Sequence, residues 1–290
     1  MDSKKFEGIL ICSDIDGTIY YYDPENKYGY IPDNVCRAIR YFQENGGRFT
    51  LATGRFPEYA ATALTQYVEP NAPLVALNGA VIYDTSTNTE LFRAPIDDDP
   101  CRLAYDVIMR YPKVKRVDIQ CSDGCSYAFK REGFITGYKT GLVTGKKQYC
   151  VGDRREYAEF FSDKEIYKIL YFFSEEDSEW GRDTLTADFP EYAVSRSWIN
   201  GVELQRADAD KGHSTRRLAE MLDGIKLLVC VGDFENDVSM IKRADIGYAV
   251  NDAIDSVLTA ADRITERTCK DGALEEIIYE LEKELRSEPN

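Results

Sequence analysis

The sequence predicts an α/β protein in which a doubly wound parallel sheet is interrupted by a second, inserted α/β unit. Apolar runs of strand length, such as Ile9–Cys12 and Leu227–Val231, lack a polar face, which is typical of parallel strands covered by helices on both sides. Helical patterns alternate with these runs, which implies right-handed crossovers. Between residues 85 and 203 the strand-like segments have one polar face. We therefore expect a core formed by residues 1–84 and 204–290, and an inserted domain formed by residues 85–203.

The first core segment is predicted to continue with two helices and two further strands. Pro32-Asp33 marks the start of the first helix, and two consecutive glycines mark its end. Apolar residues then form strand-length runs at Phe49–Ala52 and Leu74–Leu77. A second helix, from about Pro57 to Val68, is expected between these two strands.

The inserted domain and the second core segment also contain strand-like and helix-like patterns. Strand-like segments of the insert are Val114–Cys121, Ser126–Lys130 and Ile166–Phe173, and helical patterns lie near residues 101–110, 155–161 and 178–189. The run Val202–Gln205 is interpreted as the return of the chain to the core. The last helix, Gly272–Leu285, carries an apolar stripe that predicts packing on the core.

Composition limits the classes of function open to this chain. A formal net charge of −15 argues against nucleic acid as a partner, because binding to a phosphate backbone requires clustered lysine and arginine. The single histidine, His213, argues against a Ser-His-Asp triad and against metal sites built from several histidines. If the chain is an enzyme, carboxylates and a metal ion must perform its chemistry.

The chain is predicted to be a cytoplasmic monomer that does not contact membranes. Its apolar stretches are too short to span a bilayer, and its first residues lack the apolar core of a signal peptide. The eight cysteines include no C-x-x-C pair, so reduced and mostly buried thiols are expected.

Two aspartates at the end of the first predicted strand give the first indication of an active site. Asp14 and Asp16 follow the apolar run directly, and Gly17 permits a sharp turn after them. Because ligands bind beyond the carboxyl ends of parallel strands, both carboxylates are expected at the mouth of a site. Two such acids repel each other, which favours a hard cation between them, and Mg²⁺ is the cation we expect. By itself, the motif is also compatible with an ordinary turn.

Other strand ends supply the partners that such a site requires. Thr53-Gly54 follows the second strand and offers a hydroxyl and backbone N–H groups to a phosphate. Asp233, Asn236 and Asp237 follow the strand Leu227–Val231, and Lys211 opens a helix. Since the carboxyl ends of parallel strands share one edge of the sheet, these groups are expected to meet there. Together they favour phosphoryl transfer through an aspartyl phosphate.

These motifs, in this order and spacing, resemble those of the haloacid dehalogenase superfamily, specifically its Cof-type sugar-phosphate phosphatases. The matching segments are Asp14–Thr18, Ala52–Arg55, Lys211-Gly212 and Gly232–Asp237, with Leu77–Ala80 as a further segment typical of the Cof type. The resemblance implies a Rossmann-like core with an inserted α/β cap of the C2B (type IIB) kind. It also implies a Mg²⁺-dependent phosphatase that acts on a small phosphorylated metabolite, such as a sugar phosphate.

The resemblance implies a role for each matching acid. Asp14 would attack phosphorus and form a phosphoaspartate. Asp16 would protonate the leaving alkoxide and then accept a proton from the attacking water. Mg²⁺ would be held by Asp14, the backbone carbonyl of Asp16 and Asp233, with Asp237 supporting the waters of the metal ion.

The same resemblance implies which groups bind the substrate. The phosphoryl oxygens would be held by the N–H groups of Ile15 and Gly54 and by the side chains of Thr53, Lys211 and Asn236. Lys211 would also offset the negative charge of Asp14. Further candidate substrate contacts are Tyr22, Arg55 and Asn78. Specificity in this family lies largely in the cap, and the sequence does not indicate the substrate itself.

Two alternatives remain open on the sequence alone. A phosphomutase similar to the phosphomannomutases would pass the aspartyl phosphate to a second hydroxyl instead of water. A receiver-like signalling or binding protein would be phosphorylated on an aspartate without rapid turnover. The presence of Asp16 and of a large insert argues against the second alternative, because a receiver needs neither.

Overall fold

The structure is a computed structural model that describes residues 4–64, 67–139 and 146–287. It divides into two compact units. The core unit comprises the chain up to Phe92 together with the chain from Asp210 onward, and the inserted unit comprises Arg93–Ala209.

The helices and strands have the following bounds. The strands are β1 (Ile9–Ser13), β2 (Tyr21–Asp23), β3 (Tyr28–Tyr30), β4 (Arg48–Leu51), β5 (Leu74–Ala76), β6 (Val81–Asp84), β7 (Thr89–Arg93), β8 (Arg116–Cys121), β9 (Cys125–Phe129), β10 (Phe134–Lys139), β11 (Lys147–Cys150), β12 (Ile166–Phe172), β13 (Tyr192–Trp198), β14 (Gly201–Arg206), β15 (Leu227–Gly232), β16 (Ile246–Ala249) and β17 (Arg263–Ile264). The α-helices are α1 (Asp33–Glu44), α2 (Pro57–Leu64), α3 (Asp106–Arg110), α4 (Arg154–Phe161), α5 (Ser178–Asp188), α6 (Lys211–Met221), α7 (Val238–Arg243), α8 (Asp255–Ala260) and α9 (Ala273–Ser287).

The boundaries between the units differ from those drawn at 84/85 and 203/204 from the sequence. The β6–β7 hairpin stays largely with the core unit, because β6 pairs with β5 in an antiparallel sheet. Strand β14 lies in the inserted unit, because it pairs with both β12 and β13. The run Val202–Gln205 is therefore a strand of the inserted sheet, and interpreting it as the return to the core is wrong.

The central sheet of the core unit is parallel, and its described strands have the order β17-β16-β15-β1-β4. The chain passes from β1 to β4 on one side and later returns to β15 on the other side. Strand β1 is thus the point at which the direction of winding reverses, and ligands of such sheets bind at that point. The predicted doubly wound α/β fold is confirmed.

Residues of β1 alternate between the two layers that cover the sheet. Ile9 and Ile11 belong to an apolar cluster that also contains buried residues of α1 and α9. Leu10 and Cys12 belong to a second cluster that contains Leu218 of α6 and a methionine of α7. A strand that is buried on both faces must be apolar at every position, which explains the uninterrupted run in the sequence.

The inserted unit is built on a sheet whose described strands are antiparallel and have the order β11-β10-β9-β8-β12-β14-β13. Val117 and Ile119 of β8 belong to one apolar cluster with Tyr157 of α4. Alternate positions of neighbouring strands carry buried polar side chains, including Lys168 and Glu203, whose Nζ and Oε1 lie 3.0 Å apart. Burial of either charge alone would be costly, so the two neutralise each other.

The eight cysteines are all free, and six of them are buried. Within the part of the chain that the structure describes, no helix combines the length and the apolar composition needed to cross a membrane.

Gly212 allows helices α6 and α7 to pack closely. A Cβ atom at this position would lie 2.2 Å from the backbone oxygen of Ser239, so α6 or α7 must move to accept one. We expect Gly212→Ala to lower the free energy of unfolding by about 1–3 kcal/mol, net of the better helix propensity of alanine. Urea denaturation measures this change. Glu220→Ala, at an exposed position of α6, is the control, and a Gly212→Ala protein as stable as this control would contradict the packing argument.

Candidate active site

Three aspartates meet at the carboxyl edge of the central sheet. Asp14 directly follows β1, and Asp233 directly follows the neighbouring strand β15. Asp237 ends the short 3₁₀ turn that precedes α7. One carboxylate oxygen from each residue lies within 4.8 Å of the other two. Parallel pairing of β1 with β15 is what brings these sequence-distant acids together.

Lys211 lies among these acids as the first residue of α6. Its Nζ donates to Asp14 Oδ1 at 2.6 Å and to Asp237 Oδ1 at 2.5 Å. The ammonium group is completely buried. A cation is normally disfavoured at a helix N-terminus, but here the two carboxylates outweigh the helix dipole.

Short backbone segments hold the acids in place. Gly17 has a φ of +84°, and a Cβ atom there would lie 2.4 Å from Asp233 Oδ2, so glycine is required for both reasons. Thr18 Oγ1 donates to Asp233 Oδ1 at 2.6 Å. Asp237 Oδ2 accepts hydrogen bonds from the backbone N–H groups of Asp233 and Phe234 at 3.0 and 3.1 Å.

The electrostatics of the cluster show an excess of negative charge. Burial raises the pKa of Asp14 to about 7, and the charges of Asp237 and Asp16 add to this effect while Lys211 opposes it. Burial also raises the pKa of Asp233, together with the charges of Asp14 and Asp237. Burial would lower the pKa of Lys211, but the two carboxylates beside it raise that pKa above its usual value. One ammonium group does not compensate three carboxylates.

The donor set of the cluster fits a divalent hard cation. Asp14, Asp233 and Asp237 offer carboxylate oxygens alone, and such ligands suit Mg²⁺ or Ca²⁺ rather than a softer metal. A cation would also offset the negative charge that raises the pKa values of Asp14 and Asp233. The carboxylate of Asp16 is not part of this cluster, so a contribution of Asp16 to a metal ion would have to come from its backbone carbonyl.

The predicted phosphate-binding residues lie in loops that are tied to one another. Thr53 follows the strand β4, its N–H donates to Val75, and its carbonyl accepts from the N–H of Asn78 at 2.8 Å. Asn78 has a φ of +56° and is buried. Its Oδ1 accepts from Asn236 Nδ2 at 3.2 Å, which links this loop to the segment that carries Asp233.

Asp16 and Arg55 form a pair that the sequence interpretation missed. Arg55 Nε donates to Asp16 Oδ2 at 3.0 Å, and Arg55 Nη2 donates to Oδ1. The sequence offered Arg55 as a substrate contact and gave no sign of this partner. Thr18 was also overlooked, although it stands in the same motif as Asp14. Tyr22 lies on the β2–β3 hairpin with 57% of its surface exposed, and it takes no part in the contacts described here.

A family model described as haloacid dehalogenase-like hydrolase matches residues 11–277. The chain belongs to this family. The match spans the inserted unit and most of both core segments. The predicted membership of the haloacid dehalogenase superfamily is therefore confirmed.

Curated relatives of this haloacid dehalogenase-like hydrolase include phosphatases. The 5-amino-6-(5-phospho-D-ribitylamino)uracil phosphatase YitU of Bacillus subtilis is 23% identical over 94% of this chain and 96% of its own length. The phosphoglycolate phosphatase of Methanosarcina acetivorans is 24% identical over 95% of this chain and 96% of its own length. The putative phosphatase YxeH of Bacillus subtilis is 26% identical over 94% of this chain and 97% of its own length.

Solved structures of the family share the whole fold. The phosphatase BT1666 of Bacteroides thetaiotaomicron aligns with a TM-score of 0.72 at 19% identity, covering 97% of each chain. The subclass IIB sugar phosphatase BT4131 aligns with a TM-score of 0.67 at 18% identity, covering 93% of this chain and 98% of its own. The predicted class, a Cof-type phosphoric monoester hydrolase, is confirmed by these family matches.

Proposed function

We propose that this enzyme is a Mg²⁺-dependent phosphatase that hydrolyses a small phosphomonoester through an aspartyl phosphate on Asp14. The observation that carries the proposal is the position of the Asp14 carboxylate. It lies at the centre of the sheet edge, hydrogen-bonded to Lys211 and close to Asp233 and Asp237. A carboxylate beside a fixed ammonium group and a cation site is suited to attack a phosphorus atom that bears negative charge.

In the first step, an Asp14 oxygen forms a bond to phosphorus while the bond from phosphorus to the ester oxygen breaks. Asp16 gives its proton to the departing oxygen, so the product leaves as an alcohol. Lys211 offsets the charge of Asp14 and binds a phosphoryl oxygen. The N–H groups of Ile15 and Gly54 and the side chains of Thr53 and Asn236 bind the remaining oxygens.

In the second step, water attacks the phosphorus atom of the phosphoaspartate. Asp16, now ionised, accepts a proton from this water, and Asp14 is released as a carboxylate. The products are inorganic phosphate and the original enzyme. The more than half-exposed side chain of Asp16 is accessible to a leaving group and to water, as both steps require.

Mg²⁺ would be held by Asp14, Asp233 and the backbone carbonyl of Asp16, with Asp237 supporting its waters. When bound, the ion would neutralise negative charge on the phosphoryl group. We extend the substrate class of the relatives to this enzyme and expect a phosphorylated small molecule, such as a sugar or polyol phosphate.

A phosphate-release screen tests the proposal. Sugar phosphates, polyol phosphates, nucleotides and phosphorylated vitamins are incubated with the enzyme and Mg²⁺, with EDTA, or with Ca²⁺. We expect release of inorganic phosphate with Mg²⁺, loss of activity with EDTA, and inhibition by Ca²⁺, because its looser coordination misplaces the attacking oxygen.

Two results would contradict the proposal. Full activity in EDTA would show that the reaction needs no metal ion. Interconversion of sugar phosphates without release of phosphate would instead indicate a phosphomutase.

A further inference from the structure

We propose that Arg55 positions the Asp16 carboxylate for its reaction with the leaving group and does not itself bind the phosphate of the substrate. The inference rests on the proposed function, because it concerns the residue assigned there as acid and base. It starts from the side-chain pair of Arg55 and Asp16, which the sequence motifs did not predict.

The pair between Arg55 and Asp16 uses both carboxylate oxygens. Arg55 Nε donates to Oδ2 at 3.0 Å, and Nη2 donates to Oδ1. A guanidinium fork bound in this way fixes the plane of a carboxylate as well as its position. Each oxygen keeps a second lone pair, which is where the proton of the acid form can be held, and 58% of the Asp16 side chain is exposed. The carboxylate is therefore fixed in orientation while remaining open to a ligand.

Arg55 is itself held firmly. Its guanidinium carbon lies 5.9 Å from the ring centre of Tyr20 and 4.9 Å from that of Tyr59. The backbone N–H of Arg55 donates to Thr53 Oγ1 at 3.2 Å, and its backbone carbonyl accepts from the N–H of Leu77 at 3.0 Å. The side chain is 19% exposed. An arginine whose guanidinium group is already hydrogen-bonded and packed against aromatic rings is suited to orient the carboxylate beside it.

The orientation of Asp16 matters for some leaving groups and not for others. When an alkyl phosphate is cleaved, the electron pair of the broken bond goes to a strongly basic oxygen, and that oxygen needs the proton of Asp16. When 2,4-dinitrophenyl phosphate is cleaved, the electron pair goes to a stable phenolate, which departs without a proton. A displacement of about 1 Å can cost about 10²-fold in rate, so misplacing Asp16 slows the first reaction alone.

The test compares kcat/KM for two substrates, because this ratio reports the steps up to departure of the leaving group. The substrates are the fastest alkyl phosphate of the screen above and 2,4-dinitrophenyl phosphate. We expect Arg55→Met to lower kcat/KM for the alkyl phosphate by about 10–100-fold and for the aryl phosphate by less than about 3-fold. The matched control is Arg154→Met, which removes a two-point pair with Asp106 in the inserted unit and should leave both ratios unchanged.

A double-mutant cycle shows whether Arg55 acts through Asp16. In an Asp16→Asn background, Arg55→Met is expected to cause less than about a 2-fold further loss with the alkyl phosphate. If the two substitutions acted independently, the loss of kcat/KM in the double variant would equal the product of the two single losses. That result would overturn the inference.

Two further outcomes would also overturn it. Equal losses with both substrates would mean that Arg55 binds the phosphate or supports the fold, and no loss with either would mean that it has no role. Both outcomes leave the proposed function standing, because that function fails on a different result, namely an active Asp14→Asn enzyme.

Discussion

Asp14→Asn is expected to lower kcat by at least about 10⁴-fold with every phosphomonoester, because a neutral amide oxygen does not attack phosphorus as a carboxylate does. The replacement has the same shape, and its amide oxygen still accepts the hydrogen bond from Lys211. Burial and the neighbouring Asp237 raise the pKa of Asp14 to about 7, so its charged form is disfavoured in the folded protein. We therefore expect the metal-free variant to be at least as stable as the wild type.

Phosphate release and thermal unfolding measure the two expectations for Asp14→Asn separately. The matched control is Asp33→Asn, which makes the same chemical change at an exposed position in the first turn of α1 and should retain full activity. Substantial turnover by a folded Asp14→Asn protein would exclude an aspartyl phosphate on this residue. Loss of folding would instead assign Asp14 a structural role.

Lys211→Met is expected to have the second largest effect, on both stability and turnover. The substitution leaves Asp14 and Asp237 buried beside each other without the ammonium group that bridges them at 2.6 and 2.5 Å. Removing one partner of a buried ion pair costs about 3–5 kcal/mol. Turnover should fall by about 10²–10³-fold or more, since a fixed donor to the phosphoryl group is lost.

Urea denaturation with and without Mg²⁺ tests this expectation for Lys211. We expect Mg²⁺ to restore part of the lost stability, because a bound cation supplies positive charge to the folded state alone. Lys168→Met is the control, since it removes a second buried lysine, paired with Glu203 in the inserted unit. It should be destabilised to a similar degree while its folded fraction still cleaves 2,4-dinitrophenyl phosphate. Equal loss of turnover in both variants would reduce Lys211 to a structural role.

The sequence determined the features of this protein that depend on local pattern. Uninterrupted apolar runs predicted buried parallel strands, because a strand covered on both faces has no polar position. Acids and a threonine placed directly after those runs predicted a shared site, because parallel strands end at one edge. Asp14, Asp233 and Asp237 therefore meet as the pattern suggested, in a cluster whose oxygens lie within 4.8 Å.

The tertiary structure alone decided which side chains pair and which sheet a strand joins. Strand β14 alternates apolar and polar residues, and its pairing with β12 and β13 places it in the insert. Arg55 is separated from Asp16 by 39 positions along the chain, yet the two form a two-point pair. Such contacts depend on rotamers and on the packing of loops, whereas periodicity encodes only which face of an element is buried.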